Sequence, residues 1–152
     1  MKTLLNAKDK DEIVRRLETI RPESRRRWGK MSAHQMVCHL SDSFRVYMGE
    51  KTVTPAPGRY PRKPFKWAAL WLPLRWPHGF KTRPEMDQQI GGTPPAEFGN
   101  DMRELQLLLD RYTRKPRDFD WPPHPFFGQL SDEDWLRLGY LHMDHHLRQF
   151  GA

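Results

Sequence analysis

The chain has 152 residues, about one domain by length, and a domain of this size buries roughly 68–70% of its unfolded surface in a single core. Its apolar share of 37% includes six Trp, eight Phe and four Tyr beside a charged share of 30%, which excludes a polytopic membrane protein and wholesale disorder. The net charge of +7 invites an anionic partner, although the basic residues fall in Arg15–Arg27, Arg59–Lys66 and Arg111–Arg117 rather than in one long run.

Four segments read as helices. The first spans about Lys8 to Ile20, where Ile13, Leu17 and Ile20 repeat at helical spacing among charged residues. Arg21-Pro22 ends it, because proline disfavours helical geometry in the residue before it. The second starts at Ser32, an N-cap that Gln35 completes as a capping box. Met36, Leu40, Phe44 and Tyr47 form its apolar stripe, and Gly49 is its C-cap candidate. Residues 50 to 92 contain Pro55, Pro57, Pro61, Pro64, Pro73, Pro77 and Pro84 with Gly58, Gly79, Gly91 and Gly92. The whole stretch is expected to be an irregular crossover, of a length typical of a lid or binding loop.

The third helix is expected from about Pro95 to Arg114, burying Met102, Leu105, Leu108, Leu109 and Tyr112. The aromatic loop FDWPPHPFFG follows it. The fourth starts at Ser131 with Asp134 as a variant capping box and runs nearly to the C-terminus. Four amphipathic helices in one chain of this size predict an all-α domain over 1–152, built as a four-helix bundle. A crossover of forty-odd residues easily travels the ~25 Å of such a bundle and returns. The second and third helices can then run parallel, and the second and fourth antiparallel.

The longest apolar stretch, Trp67 to Trp76, contains Pro73 and Arg75 and falls short of the ~20 apolar residues a membrane-spanning helix needs. The N-terminus turns charged after five residues and shows no secretory signal. One cysteine, Cys38, makes no internal disulfide framework. A cytoplasmic setting is expected.

Seven histidines carry the chemistry. His142 and His146 stand four apart, on one helix face, the geometry of paired metal-binding histidines. The pair alone is weak evidence, since such a face is more often solvated. A third histidine at matching depth strengthens it. His39 lies ~10 Å into the second helix, and the pair lies ~6–12 Å from the end of the last. Antiparallel helices bring these depths together and parallel helices do not. Gln35, Asp42 and Gln149 stand within a turn of the candidate ligands and are possible supports for their second nitrogen. His145, at i+3 from His142, is the alternative ligand. His124, between prolines, reads as a turn residue, while His34 and His78 look incidental. Cys38 reads as a buried inert thiol.

The run WGKMSAHQMVCHLSDS, the stretch WPHGFKTRPEMD and the segment HPFFGQLSDEDWLRLGYLHMDHHLRQFG resemble the DinB/YfiT-like superfamily, in a branch largely of unknown function. The resemblance covers most of the chain. It implies a four-helix bundle in up-down-down-up order, with one metal-ligating histidine in the second helix and an HxxxH pair in the last, here His39, His142 and His146. Characterised members include metal-dependent transferases and isomerases that use low-molecular-weight thiols. Others are only candidate metal-dependent hydrolases.

Three neutral imidazoles leave coordination positions open, as catalytic rather than structural sites do. Zinc, nickel or iron all suit such ligands. The expected function is therefore a metal-dependent hydrolase or thiol transferase of a small molecule, activating water or a thiol. The alternative is a non-catalytic structural or binding bundle that contacts anionic partners. No recognised nucleic-acid motif is present, and a homodimer through an apolar face is compatible with the pattern. The segment KWAALWLPLRWPHGF is expected to pack the crossover and partly line a pocket. Arg62, Lys63, Lys66, Arg75, Lys81 and Arg83 around it are candidates to attract an anionic substrate or thiol.

Overall fold

Ser32 begins α2 (Ala33–Tyr47) because its hydroxyl accepts from the Gln35 backbone N–H while the Gln35 side chain accepts from the Ser32 N–H. The same reciprocal pair, Ser131 with Asp134, begins α5 (Asp132–Gln149). Each box satisfies two amide donors that a helix start otherwise leaves without partners. At the other end of α2 the backbone turns through Gly49, at φ +80, a conformation that costs glycine nothing.

The computed structural model describes residues 1–54, 62–79 and 82–152, with the side chains of 62 and 63 left aside. Among these residues the chain is all-helical. It has five α-helices and no strand: α1 (Ala7–Leu17), α2, α3 (Arg62–Trp71), α4 (Phe98–Thr113) and α5, with a 3₁₀ turn at Pro84–Met86. No helix among them is long and apolar enough to cross a membrane.

Two helix boundaries and one added helix depart from the sequence expectation. The first helix ends at Leu17 rather than Ile20, because Thr19 and Ile20 donate to carbonyls three residues back and tighten the exit. The third expected helix starts at Phe98 rather than Pro95, since the Glu97 carboxylate caps the Gly99 and Asn100 amides. The larger correction is α3, a ten-residue helix inside the stretch expected to be irregular throughout. Pro64 falls in its first turn, where the missing N–H would have no intrahelical partner anyway, and Pro73 lies beyond its end. The intervening FKWAALW has neither proline nor glycine.

Contacts along the long helices give their directions. His34 meets Asp101 near the starts of α2 and α4, and Phe44 and Tyr47 meet Tyr112 near their ends, so these two run parallel. Against α5, Tyr47 meets Trp135 while His39 meets His146, so α2 and α5 run antiparallel. Leu4 donates to the Leu136 carbonyl and Arg16 pairs with Asp144, which sets α1 parallel to α5. The core between these helices buries Ile13, Leu17, Met36, Leu40, Phe44, Leu105, Leu109, Tyr112, Trp135 and Leu138. Each such side chain contributes about 1.5–3 kcal/mol relative to exposure.

Candidate metal centre

The antiparallel pairing of α2 and α5 places His39, His142 and His146 together, with ligand atoms all within 4.8 Å of one another. The Nε2 atoms of His39 and His142 lie 3.1 Å apart, and those of His146 and His142 lie 3.2 Å apart. Two nitrogens at ~2.0–2.1 Å from one ion are separated by roughly 2.9–3.4 Å at octahedral or tetrahedral angles. Both separations from His142 therefore fall in the range of ligands on a single ion.

The opposite ring nitrogens are all held. His39 Nδ1 stands 3.0 Å from the Met86 carbonyl, which only accepts, so this nitrogen carries the proton. His146 Nδ1 stands 2.8 Å from Gln149 Oε1. The Gln149 amide is oriented by its Nε2, which donates to the Trp28 carbonyl at 2.9 Å, so its oxygen accepts from His146. His142 Nδ1 meets the Tyr47 hydroxyl at 2.8 Å. His39 and His146 thus both turn bare Nε2 lone pairs toward the Nε2 of His142. A proton on His142 Nε2 can face only one of them squarely, whereas a cation satisfies all three.

Burial pushes His39, His142 and His146 below the ordinary histidine value, and at His142 the neighbouring histidines add to the effect. All three are then neutral near pH 7, the form that binds metal. Burial likewise raises the Tyr47 phenol, which stays a neutral hydroxyl.

The other candidates fall as follows. Gln149 supports the candidate ligand His146. Gln35 does not: its amide is committed to the Ser32 cap. Asp42 does not touch His39 either. It is fully buried, accepts from Thr93 Oγ1 at 2.7 Å and Thr93 N at 2.8 Å, and pairs with Lys51 at 3.0 Å. Burial opposes its ionisation, but the Thr93 and Lys51 bonds outweigh that and hold it below the usual carboxylate value. Its effect is to tie residues 88–93 to α2, just beyond the Met86 carbonyl that orients His39. His145 lies outside the ligand group. Its ring packs on those of Trp28, Trp76 and His78, and burial pushes it down to about 4.

His124 is a turn residue, as expected. Its Nδ1 accepts from the Phe126 and Phe127 amides, and burial lowers it to about 4. Its ring lies against Tyr47 and Trp135. Trp76 covers His142 at 6.1 Å between ring centres, so the tryptophan-rich segment does line the centre, while Leu70 packs into the core. Lys66 pairs with Asp134 and Arg75 is exposed; Lys81 and the Arg62 and Lys63 side chains lie outside the described residues.

Two features escaped the sequence reading. Tyr47 and the Met86 carbonyl hold ring nitrogens of the candidate ligands His142 and His39. His34 is not incidental, since with Cys38 and Asp101 it forms a second cluster of potential ligands. There Asp101 Oδ2 already accepts from His34 Nε2 at 2.6 Å, from Cys38 Sγ at 3.6 Å and from the Ala96 amide at 3.0 Å. Burial first, then the Asp101 charge, pushes the Cys38 thiol up to about 12, so it is an inert donor.

No curated protein and no solved structure matches this chain. A family described as proteins of unknown function, DUF1569, matches residues 1–152. The chain, over its whole length, belongs to that family.

Proposed function

We propose that His39, His142 and His146 hold one divalent transition-metal ion, and that the protein is a metal-dependent enzyme acting on a small molecule. The observation that carries this reading is the convergence of three Nε2 atoms whose rings are fixed from behind by Met86, Tyr47 and Gln149. Surface histidines have no reason to be sunk into the fold, with His39 and His146 buried and His142 partly so, neutral and aimed at one another. Zinc, nickel or iron suits three imidazoles. Such an ion leaves a position for water or a low-molecular-weight thiol and lowers the pKa of what it binds, the basis of hydrolysis or thiol transfer.

The chain's own groups prepare that chemistry. Met86 and Gln149 keep His39 and His146 in the tautomer that frees Nε2. With a cation on His142 Nε2, its Nδ1–H donates to the Tyr47 oxygen. Trp76, lying over His142, limits the approach of water from that side. The helix directions support reading α1, α2, α4 and α5 as an up-down-down-up bundle of the DinB/YfiT kind over the single domain 1–152. α3 is an addition outside that scheme. A cytoplasmic protein with a small-molecule substrate fits the same reading.

The test is elemental analysis of untagged protein purified without chelator, beside His39→Ala, His142→Ala and His146→Ala. About one equivalent of metal in the wild type, and less than a tenth of that in each variant, is expected. Folded wild-type protein that takes up neither zinc, nickel nor iron on reconstitution overturns the reading and leaves a non-catalytic helical protein.

A further inference from the structure

The basic residues of this protein are spread along the chain, but the charge that acids do not balance falls in one segment. Between Glu50 and Glu85 stand eight lysines and arginines and no aspartate or glutamate. The rest of the chain has eighteen basic and nineteen acidic side chains, a net charge of −1. The whole excess of +7 thus belongs to the segment that contains α3 and the turn after it. Two of the eight are paired with acids outside the segment, Lys51 with Asp42 and Lys66 with Asp134. Exposed Arg75 makes no ion pair among the described residues.

The same segment exposes large apolar side chains. α3 turns Leu70, Trp71 and Lys66 toward α5: Leu70 is buried, and Trp71 Nε1 and Lys66 Nζ both donate to Asp134. On the same helix Trp67 is 57% exposed, and Leu74 beyond the helix end is 65% exposed with Pro73 and Arg75 exposed on either side. Phe65 is 37% exposed. An exposed tryptophan and leucine within one short segment, amid unbalanced positive charge, are the components of an interfacial membrane anchor. There the apolar side chains enter the headgroup boundary, and arginine and lysine reach the acidic lipids.

We propose that α3 and residues 72–75 dock this protein on the surface of a bilayer that carries acidic lipids, with Trp67 and Leu74 inserted and Arg75 at the headgroups. A nucleic acid fits the same charge less well. Leu74 offers no ring for a base to stack on, and Phe65 already stacks near Phe127. Because Trp76 lies over His142 in the same segment, a docked α3 would set the histidine cluster close to the lipid surface. The docking itself does not depend on the metal reading.

Flotation with lipid vesicles tests it. The wild type is expected to bind vesicles with about 30 mol % phosphatidylglycerol and not pure phosphatidylcholine, and to be released as salt rises from about 50 to about 500 mM. The double variant Trp67→Ala, Leu74→Ala is expected to lose at least about tenfold in partitioning, because both apolar side chains are removed. Arg75→Glu is expected to lose about fivefold or more. Circular dichroism melts within a few degrees of the wild type check the fold of these exposed-site variants. Equal binding to both vesicle types, no binding to either, unchanged partitioning in the variants, or release from the vesicles by a single-stranded oligonucleotide with retention on it would each overturn the proposal.

Discussion

At the scale of single residues, the histidine centre depends on groups that never touch its focal point. Gln149 is the clearest. It ends α5, accepts from His146, and is itself oriented by the Trp28 carbonyl. Gly29 permits that contact: its φ is +79, and a Cβ there would lie 2.6 Å from Gln149 Nε2. Gln149→Leu keeps the volume and removes the acceptor, so His146 is free to take the other tautomer. Metal affinity is then expected to fall about 10–100-fold, with one equivalent still bound at saturating metal. Tyr47→Phe is expected to give a smaller loss, because His142 Nδ1 loses one partner without losing its burial. Competition with a chromophoric chelator measures both. Affinities equal to wild type in both variants would mean that packing alone orients the rings. Gln149 was readable as a partner of His146 because it stands three residues from it on the same helix. Met86 was not, since every residue has a carbonyl and only the path of the chain brings this one to His39.

At the scale of elements, capping chemistry was the most legible part of the sequence. Ser32 with Gln35 and Ser131 with Asp134 mark helix starts by side-chain type and spacing alone, and both helices start there. The depths of His39, His142 and His146 were legible for the same reason, because helical rise turns residue numbers into distances. α3 was hidden by its prolines: Pro64 falls in the first turn and Pro73 beyond the end, so neither breaks the helix. What fixes α3 in place is tertiary. Asp134 accepts from Lys66 at 2.8 Å and from Trp71 at 2.9 Å, and Arg137 donates to the Leu70 carbonyl at 2.8 Å. Burial opposes the ionisation of Asp134, yet the bonds from Lys66 and Trp71 keep its carboxyl below the ordinary value. Trp71→Phe removes one of these donors and leaves the α5 cap intact. It is expected to cost about 1–3 kcal/mol, as for a hydrogen bond to a charged group. Amide exchange should quicken in α3 ahead of α2 and α5. Uniform quickening across all three helices would show instead that α3 is an inseparable part of the core.

At the scale of the whole molecule, the buried and partly buried histidines link stability to pH. His39, His124, His142, His145 and His146 are all pushed below the ordinary histidine value, with burial as the largest cause at each. Above the unfolded value of about 6.5 neither state binds protons at these rings, and their contribution is constant. As pH falls below that point the unfolded chain takes up protons that the folded protein refuses, so stability is lost. The slope reaches at most about 1.4 kcal/mol per pH unit for each histidine. The buried acids act elsewhere. Asp42, Asp134 and Asp144 are held below their usual value, so what they contribute is lost only as pH falls through about 4 and below. The interval from pH 7 to 5 therefore belongs to the histidines. Metal-free protein is expected to melt at progressively lower temperature across that interval and at nearly constant temperature from pH 7 to 8. With metal bound the melting temperature is higher throughout but falls over that interval with about the same slope, because the folded rings of His39, His142 and His146 already refuse protons without the ion. His124 and His145 lie outside the ligand group, so the metal-free protein keeps a pH dependence that no ion explains. A melting temperature as high at pH 5 as at pH 7 in metal-free protein would mean that the rings open to water at little cost, and that the neutral cluster is not built into the fold.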